Sequence, residues 1–304
     1  MENYDQPKEN ILTKLRYIYG KQYKKLLFIT IGLLFLAIIQ ILVQYAATGE
    51  FVQKDISLKG GLSVTVPLNS KVDTNELQNQ LSKEFPDAYI NVRSLSKAGA
   101  QIGLIVDASD IDENDLVTAL KNYIGDKGRD YSIEIMGSSL GKSFFRQTLV
   151  ALLIAFLLMG IVVFITFRTV VPSSAVILSA FSDIVVTLAI VNLFGIKIST
   201  AGIAAFLMLI GYSVDTDILL STRVLKRKEG TVFERILNSM KTGMTMTMTT
   251  MAAVIAALII SPSPVIKQIM TILLIGLCVD ILNTWIQNAG ILRLYMEKKV
   301  STNE

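Results

Sequence analysis

Six stretches of the chain are apolar almost without a break: Leu26–Ala46, Leu149–Phe167, Ser174–Phe194, Thr200–Leu220, Gly243–Ile260 and Ile269–Ile291. A helix rising 1.5 Å per residue needs about 20 mostly apolar residues to cross roughly 30 Å of hydrocarbon. Each stretch therefore predicts a transmembrane helix. The fifth is the shortest and has the least defined ends. Its neighbourhood TGMTMTMTTM (242–251) alternates like a strand, but a lone strand in hydrocarbon leaves its backbone unpaired. A helix is predicted there, with threonine hydroxyls returned to preceding carbonyls or to a neighbouring helix and the methionines packing.

Between the first two runs the pattern changes. Residues 48–146 are polar overall and too many for a loop. LSVTVPL (62–68) alternates with a period of two, as do YINVRSLS (89–96), IGLIVDAS (102–109) and YSIEIMG (131–137). Asp73 with Glu76 forms a capping arrangement ahead of Leu77, Leu81 and Phe85. Asp112 opens a second helix carrying Leu116, Leu120 and Ile124, which Gly125 closes. The order β-α-β-β-α-β is the ferredoxin-like split βαβ pattern. Both helices cover one face of a four-stranded sheet, and the other face is expected to be free for a partner. Gly60-Gly61, just before the first strand, predicts a turn with positive φ.

The expected fold is thus a polytopic α-helical membrane protein: a tail (1–25), helix 1 (26–47), an extracytoplasmic α+β ferredoxin-like domain (48–146), transmembrane helices 2–6 (147–292) and a tail (293–304). The composition agrees, with 52% hydrophobic residues and a mean hydropathy of +0.52. The first run has a basic approach (Lys21, Lys24, Lys25) but is longer than a signal-peptide core of ~7–15 residues, so it reads as an uncleaved anchor. Basic residues collect on one side: Lys8, Lys14 and Arg16 in the first tail, Arg168 after the second run, Arg223, Lys226, Arg227, Lys228, Arg235 and Lys241 after the fourth, and Arg293, Lys298 and Lys299 at the end. The short loops on the other side hold Lys197 and Lys267. By the positive-inside rule both termini are cytoplasmic, and these charges need no nucleic-acid partner. Histidine is absent, which removes His-based metal sites, His-assisted catalysis and His proton relays. The lone Cys278 allows no intrachain disulfide and reads as a packing residue. GSSLGKS (137–143) encloses one residue too few for a phosphate-binding loop and reads as a connector. No cofactor or metal is expected, and the reading is not of an enzyme.

Four aspartates fall inside the predicted helices: Asp183, Asp215, Asp217 and Asp280. An Asp at a helix centre costs roughly 2.5–3.5 kcal/mol on insertion, so the set compares with a whole net stability of ~5–15 kcal/mol. The plain alternative is a hydrogen-bonded helix contact; a functional polar track explains the set better. By depth, Asp183 and Asp280 are central and Asp215 lies only ~7–8 Å away, which groups these three. Asp217 is ~200° around the helix from Asp215, with Ser213 and Ser221, and reads as a helix contact. Asp215 shares its face with Gly211, where another helix can come close. Arg223 is the nearest candidate cation. The Tyr-Asp and Gly-x-Gly-Asp signatures of intramembrane aspartyl proteases do not match.

GYSVDTDILLSTRVLKRKEG (211–230), FSDIVVTLAI (181–190), KDISLKGG (54–61), SLGKSF (139–144) and ILNSMKTGMTMTMTT (236–250) together resemble the SecF branch of the SecD/SecF family of protein-export membrane subunits, in its archaeal form. The resemblance covers nearly the whole chain. Asp215-Thr216-Asp217 stands where bacterial members of this branch have Asn-Asp-Thr, and Asp at 215 is similar to the SecD motif Gly-Val-Asp-Ala-Asn. The resemblance implies one six-span half of a proton-driven-exporter-like fold. It further implies SecD as the second half, the SecYE channel beside them, and a translocating polypeptide as client. The positions it implies for proton coupling are Asp215, Asp183 and Arg223, with Asp217 and Asp280 behind them. Two other roles fit the same residues: a scaffold that holds SecD and the channel together without coupling, and half of a small-molecule exporter.

Overall fold

The computed structural model describes residues 19–20, 22–68, 71–97, 100–125, 131–226 and 230–302. The basic residues before position 19, Lys21, the Ala98-Gly99 link, and Arg227 with Lys228 lie outside the described residues. Helix α1 (Tyr23–Thr48) ends on Gly49, whose left-handed backbone (φ 72°) lets its N–H cap the carbonyl of Tyr45. One turn of helix, α2 (Ile56–Lys59), follows; the Asp55 carboxylate accepts from the Ile56 N–H at 2.7 Å. Gly60 and Gly61 then turn the chain with φ of 92° and 139°. A Cβ on Gly61 would sit 2.4 Å from the carbonyl oxygen of Ala108, so this position needs glycine both for conformation and for space.

The domain then runs β1 (Gly61–Pro67), α3 (Thr74–Glu84), β2 (Tyr89–Lys97), β3 (Ala100–Ser109), α4 (Glu113–Ile124) and β4 (Ser132–Met136). The element order is the one the periodicity predicts. The sheet order is β2-β3-β1-β4 and each neighbouring pair is antiparallel. Asp73 and Asp112 cap α3 and α4 through backbone N–H groups. Val64, Val66, Leu104 and Val106 meet Leu81, Leu116 and Leu120 in the core, and each such burial contributes about 1.5–3 kcal/mol. The opposite face carries Ser63, Thr65, Arg93, Asp107 and Glu134. It is not free: it overlies the ends of the membrane helices across a cleft of about 370 Å³, whose other wall includes Ser199, Thr200, Pro264 and Gln268.

The remaining spans are α5 (Ser138–Phe167), α6 (Val170–Leu193), α7 (Thr200–Lys226), α8 (Val232–Ile260) and α9 (Pro264–Leu282). The last continues through a π-helical turn (Asn283–Asn288) into α10 (Ala289–Thr302). Counting that continuous rod once, the described residues hold six helices long and apolar enough to cross a membrane. Two begin well before their apolar runs. In α8 the reason is a capping box: the Thr231 hydroxyl accepts from the Glu234 N–H and the Glu234 carboxylate from the Thr231 N–H. In α5 the SSLGKS segment is not a connector but the first turns of the helix. It packs Gly141 so closely on α2 that a Cβ there would lie 2.9 Å from the Gly60 nitrogen.

More than half of the apolar window is buried in α6 and α7, against 6% in α5 and 17% in α1 and α8. So α6, α7 and α9 form the interior, and α5 has the smallest share of buried positions among the six spans. Domain and bundle are joined by backbone. The Asp55 N–H donates to the Ile198 carbonyl at 2.9 Å and the Ile198 N–H to the Gln53 carbonyl at 2.7 Å, a short parallel bridge to the α6–α7 loop. The Asn192 amide donates to the Phe51 carbonyl at 3.0 Å, and the Lys267 ammonium donates to the carbonyl of Ser96.

Candidate functional site

Three polar stripes converge where α6, α7 and the α9–α10 rod meet. On α6 the buried residues are Ser179, Ser182 and Asp183; on α7 they are Ser213, Thr216, Asp217 and Ser221. On the rod they are Asp280, Asn283, Thr284, Gln287 and Asn288. Each stripe recurs at three- and four-residue steps, the repeat that keeps side chains on one helix face. Small residues let the helices approach closely here.

The three carboxylates are held by hydroxyls and amides. Asp183 accepts from the Ser213 hydroxyl at 2.5 Å and from the Asn283 amide at 2.8 Å. Asp217 accepts from the Asn288 amide at 2.7 Å, and the Ser179 and Thr284 hydroxyls lie close by. Asp280 accepts from Thr284 at 2.9 Å and, at a long 3.4 Å, from Thr216. The Gln287 amide donates to Ser182 at 2.9 Å. All three acids are at most 1% exposed, and the ion pairs found among the described residues lie elsewhere. Among the described residues, Asp217 Oδ2, the Ser179 and Ser221 hydroxyls and Asn288 Oδ1 find no hydrogen-bond partner. Buried polar atoms are paired in the great majority of cases, so this concentration marks the site as one not optimised for stability alone.

The π-helical turn supplies three of the five side chains that donate these bonds to the carboxylates, Asn283, Thr284 and Asn288. In such a turn the backbone bonds run from residue i to i+5; the Ala289 N–H reaches the Thr284 carbonyl. The widened turn brings Asn283 to Asp183 and Asn288 to Asp217. The turn is wedged from the outside by Trp285, which is buried against Gly243 of α8.

The grouping read from depth is corrected here. Asp217, not Asp215, is the α7 member of the cluster with Asp183 and Asp280. Asp215 is exposed on the outer surface of the bundle with Gly211, Tyr212 and Met208. The physical reason is azimuth: the two residues differ by ~200° around the helix, and packing of α6 and α9 against the Ser213/Ser221 face chooses Asp217. Among the described residues, nothing comes within 4 Å of a Cβ built on Gly211, so none of the described helices makes the close approach expected there. Arg223 bonds α8 instead of an acid, through the Asn238 carbonyl at 3.0 Å and the Thr242 hydroxyl at 2.9 Å. Sequence reasoning missed Asn283, Thr284, Gln287 and Asn288. Their signal was available: four amide or hydroxyl side chains inside a predicted span, continuing the face of Asp280.

In the sheet domain a second charged group stands on the face turned to the bundle. Arg93 bridges Asp107 at 2.5 Å and Asp55 at 3.5 Å, and Ser63 donates to Asp107 at 2.8 Å. Burial pushes the Asp107 carboxyl above its usual range, while the Arg93 guanidinium pulls the other way.

Comparison with known proteins fits this architecture. The family described as "Protein export membrane protein SecD/SecF, C-terminal" matches residues 116–298. A protein-export membrane protein SecF of Pyrococcus furiosus is 41% identical over 290 residues, covering 95% of this chain and 96% of the relative. The SecF of Methanocaldococcus jannaschii is 38% identical over 284 residues, covering 91% and 96%. Among solved structures, the crystal structure of SecDF, a translocon-associated membrane protein from Thermus thermophilus, superimposes with a TM-score of 0.73 at 18% identity. This chain covers 38% of that chain's length and is matched over 91% of its own. A SecDF structure in a super-membrane-facing form gives a TM-score of 0.59. With a family match over more than half its length and a relative 41% identical end to end, the chain belongs to the SecD/SecF family of protein-export membrane proteins.

Proposed function

We propose that this chain is a SecF-type subunit of the protein-export machinery and that Asp183, Asp217 and Asp280 couple it to proton flow. It works with SecD, beside the SecYE channel, on a translocating polypeptide. Its relatives' names support the export role. The partner reading is supported by the 38% of the SecDF chain that this chain spans and by the outer face of α7, where Asp215 and Gly211 await a neighbouring helix. The basic residues at the bundle end away from the domain, among them Arg168, Arg223 and Arg293, favour cytoplasmic termini and an extracytoplasmic domain of ferredoxin-like type.

The observation that carries the coupling reading is the carboxylate cluster itself. Three carboxyls from three helices lie together with no basic partner among the described residues, so a proton moving on or off one of them changes the field at the other two. The members sit on three different helices, so a change of charge on one alters the packing of all three. Chemistry is confined to proton exchange; no covalent step is assigned. Asp217→Asn preserves shape and removes the titrating group. The expected result is loss of export stimulation in reconstituted vesicles while SecD and SecY still co-purify with the variant. Full stimulation by both Asp217→Asn and Asp183→Asn would leave the scaffold role as the correct one.

A further inference from the structure

A helix that widens to i→i+5 bonds and then returns to i→i+4 passes over one carbonyl. In the α9–α10 rod the Ala289 N–H bonds the Thr284 carbonyl, five residues back. From Ala289 onward the rod is α-helical again. Counting on from Thr284, the carbonyl passed over is that of Trp285. Trp285 is buried, and buried carbonyls are nearly always paired. This one is paired from outside the rod: the hydroxyl of Tyr19, four residues before α1, donates to it at 2.5 Å.

Several contacts seat the Tyr19 ring. It lies 6.0 Å, centre to centre, from Phe233 of α8 and packs against the buried cluster of Leu220, Ile236 and Trp285. The hollow beside it, walled also by Tyr23, Ile286 and Arg293, is about 10 Å³. That is the lower limit for one water, so solvent is a poor substitute for the hydroxyl. Next to it Arg293 lies 4.2 Å from the centre of the Tyr23 ring. Glu297 accepts from the Tyr23 hydroxyl at 2.5 Å and from Arg293 Nε at 2.9 Å. Trp285 is thereby held twice, its ring against Gly243 and its carbonyl by Tyr19.

Residues five apart in an α-helix stand about 140° apart around its axis; a turn that closes its bonds at five residues brings such a pair to one side. Asn283 and Asn288 are five apart, and each reaches a carboxylate, Asp183 at 2.8 Å and Asp217 at 2.7 Å. Tightening to an α-turn would pair the Trp285 carbonyl with the Ala289 N–H and swing the two amides apart. Tyr19 satisfies that carbonyl without the tightening. We propose that Tyr19 is a positioning residue for the carboxylate cluster: through the Trp285 carbonyl it holds the π-helical turn, and with it the Asn283 and Asn288 donors. Its consequence for export rests on the coupling role proposed above for the acids; its hold on the turn does not.

Trp285 is the one tryptophan of the sequence, so tryptophan carrying 13C at its carbonyl carbon puts a single infrared probe on this bond in the full chain. Tyr19→Phe keeps the ring and its packing on Phe233 and removes the hydroxyl. The expected result is a labelled amide I band shifted to higher frequency, together with a shift of the carboxyl band that Asp217→Asn removes. Phe233→Leu, which loosens the seat of the ring and leaves the hydroxyl, gives smaller shifts of both bands. Thermal unfolding shows both variants folded. Export stimulation in reconstituted vesicles falls in Tyr19→Phe. A labelled band at the parent frequency in Tyr19→Phe overturns the proposal. So does a shifted labelled band beside an unmoved carboxyl band, which confines the bond to the end of the rod. Full stimulation by Tyr19→Phe where Asp217→Asn abolishes it overturns the consequence for export. If Asp183→Asn and Asp217→Asn both stimulate fully, the coupling role falls, and the two bands still decide whether Tyr19 holds the turn.

Discussion

The contact between Gly243 and Trp285 makes a demanding test of how the polar cluster is held. A Cβ at position 243 would lie 2.3 Å from Cζ2 and 2.8 Å from Cη2 of the indole. Carbon atoms in contact sit about 3.5–4.0 Å apart, so Gly243→Ala is short of room by more than about 1 Å. The indole is rigid, 3% exposed and packed in a buried apolar cluster with Leu220, Val224 and Ile236, so it has little space to turn away. Overpacking of this kind costs about 1–3 kcal/mol. Trp285 is the one tryptophan of the sequence, so its emission reports this contact alone. Gly243→Ala is expected to shift the emission maximum and lower the apparent unfolding midpoint by a few degrees. In a Trp285→Phe background the same substitution is expected to cost distinctly less, by circular dichroism, because the smaller ring vacates the space. An Ala variant with unchanged emission, or with the same cost in both backgrounds, would refute the claim that Trp285 wedges the turn.

Three further outcomes follow from the same geometry. Asn288→Leu removes the donor to Asp217 Oδ1 and leaves a buried acceptor unpaired, so a loss of about 1–3 kcal/mol is expected in thermal unfolding; a variant as stable as the parent would show that the bond is dispensable. Gly61→Ala places a methyl group 2.4 Å from the Ala108 carbonyl at a φ of 139°; amide exchange is expected to accelerate along the β1–β3 pairing while the spans stay protected. Burial, with Lys59 adding to it and Asp55 opposing, lowers the Lys197 ammonium from 10.5 to about 8. Between those values the docked loop binds fewer protons than an undocked one, so docking strengthens as pH rises from about 8 to 10.5. Exchange protection at residues 196–199 is expected to rise over that window, and Lys197→Met to abolish the slope.

The sheet and the spans were legible because each rests on local periodicity. Alternation at 62–68 and 102–109 needs only the pleat, and the caps at Asp73 and Asp112 need only neighbouring backbone. The start of α8 was set by two polar residues, Thr231 and Glu234, which hydropathy does not register. The candidate site was legible in kind but not in membership. Depth follows from counting residues, whereas the choice between Asp215 and Asp217 depends on which flank of α7 its neighbours cover, a tertiary fact. The amides at 283, 287 and 288 were visible in the sequence, yet the π-helical turn that aims them depends on Trp285 meeting Gly243 across two helices. Nor does the β-α-β-β-α-β order tell which way the bare side of the sheet turns; the bridge from Asp55 to Ile198 decides that.

That bridge has a mechanical meaning. Ile198 sits in the loop whose two arms are α6 and α7, the helices that carry Asp183 and Asp217. A load on the domain is delivered through two backbone hydrogen bonds to the hinge between those arms, not dissipated in a slack tether. Linkage then runs in both directions: whatever free energy a change in the acids adds to the step between two positions of the domain, that step of the domain adds to the same change in the acids. On the proposed coupling, pulling on the domain and charging the acids are conjugate operations on one lever.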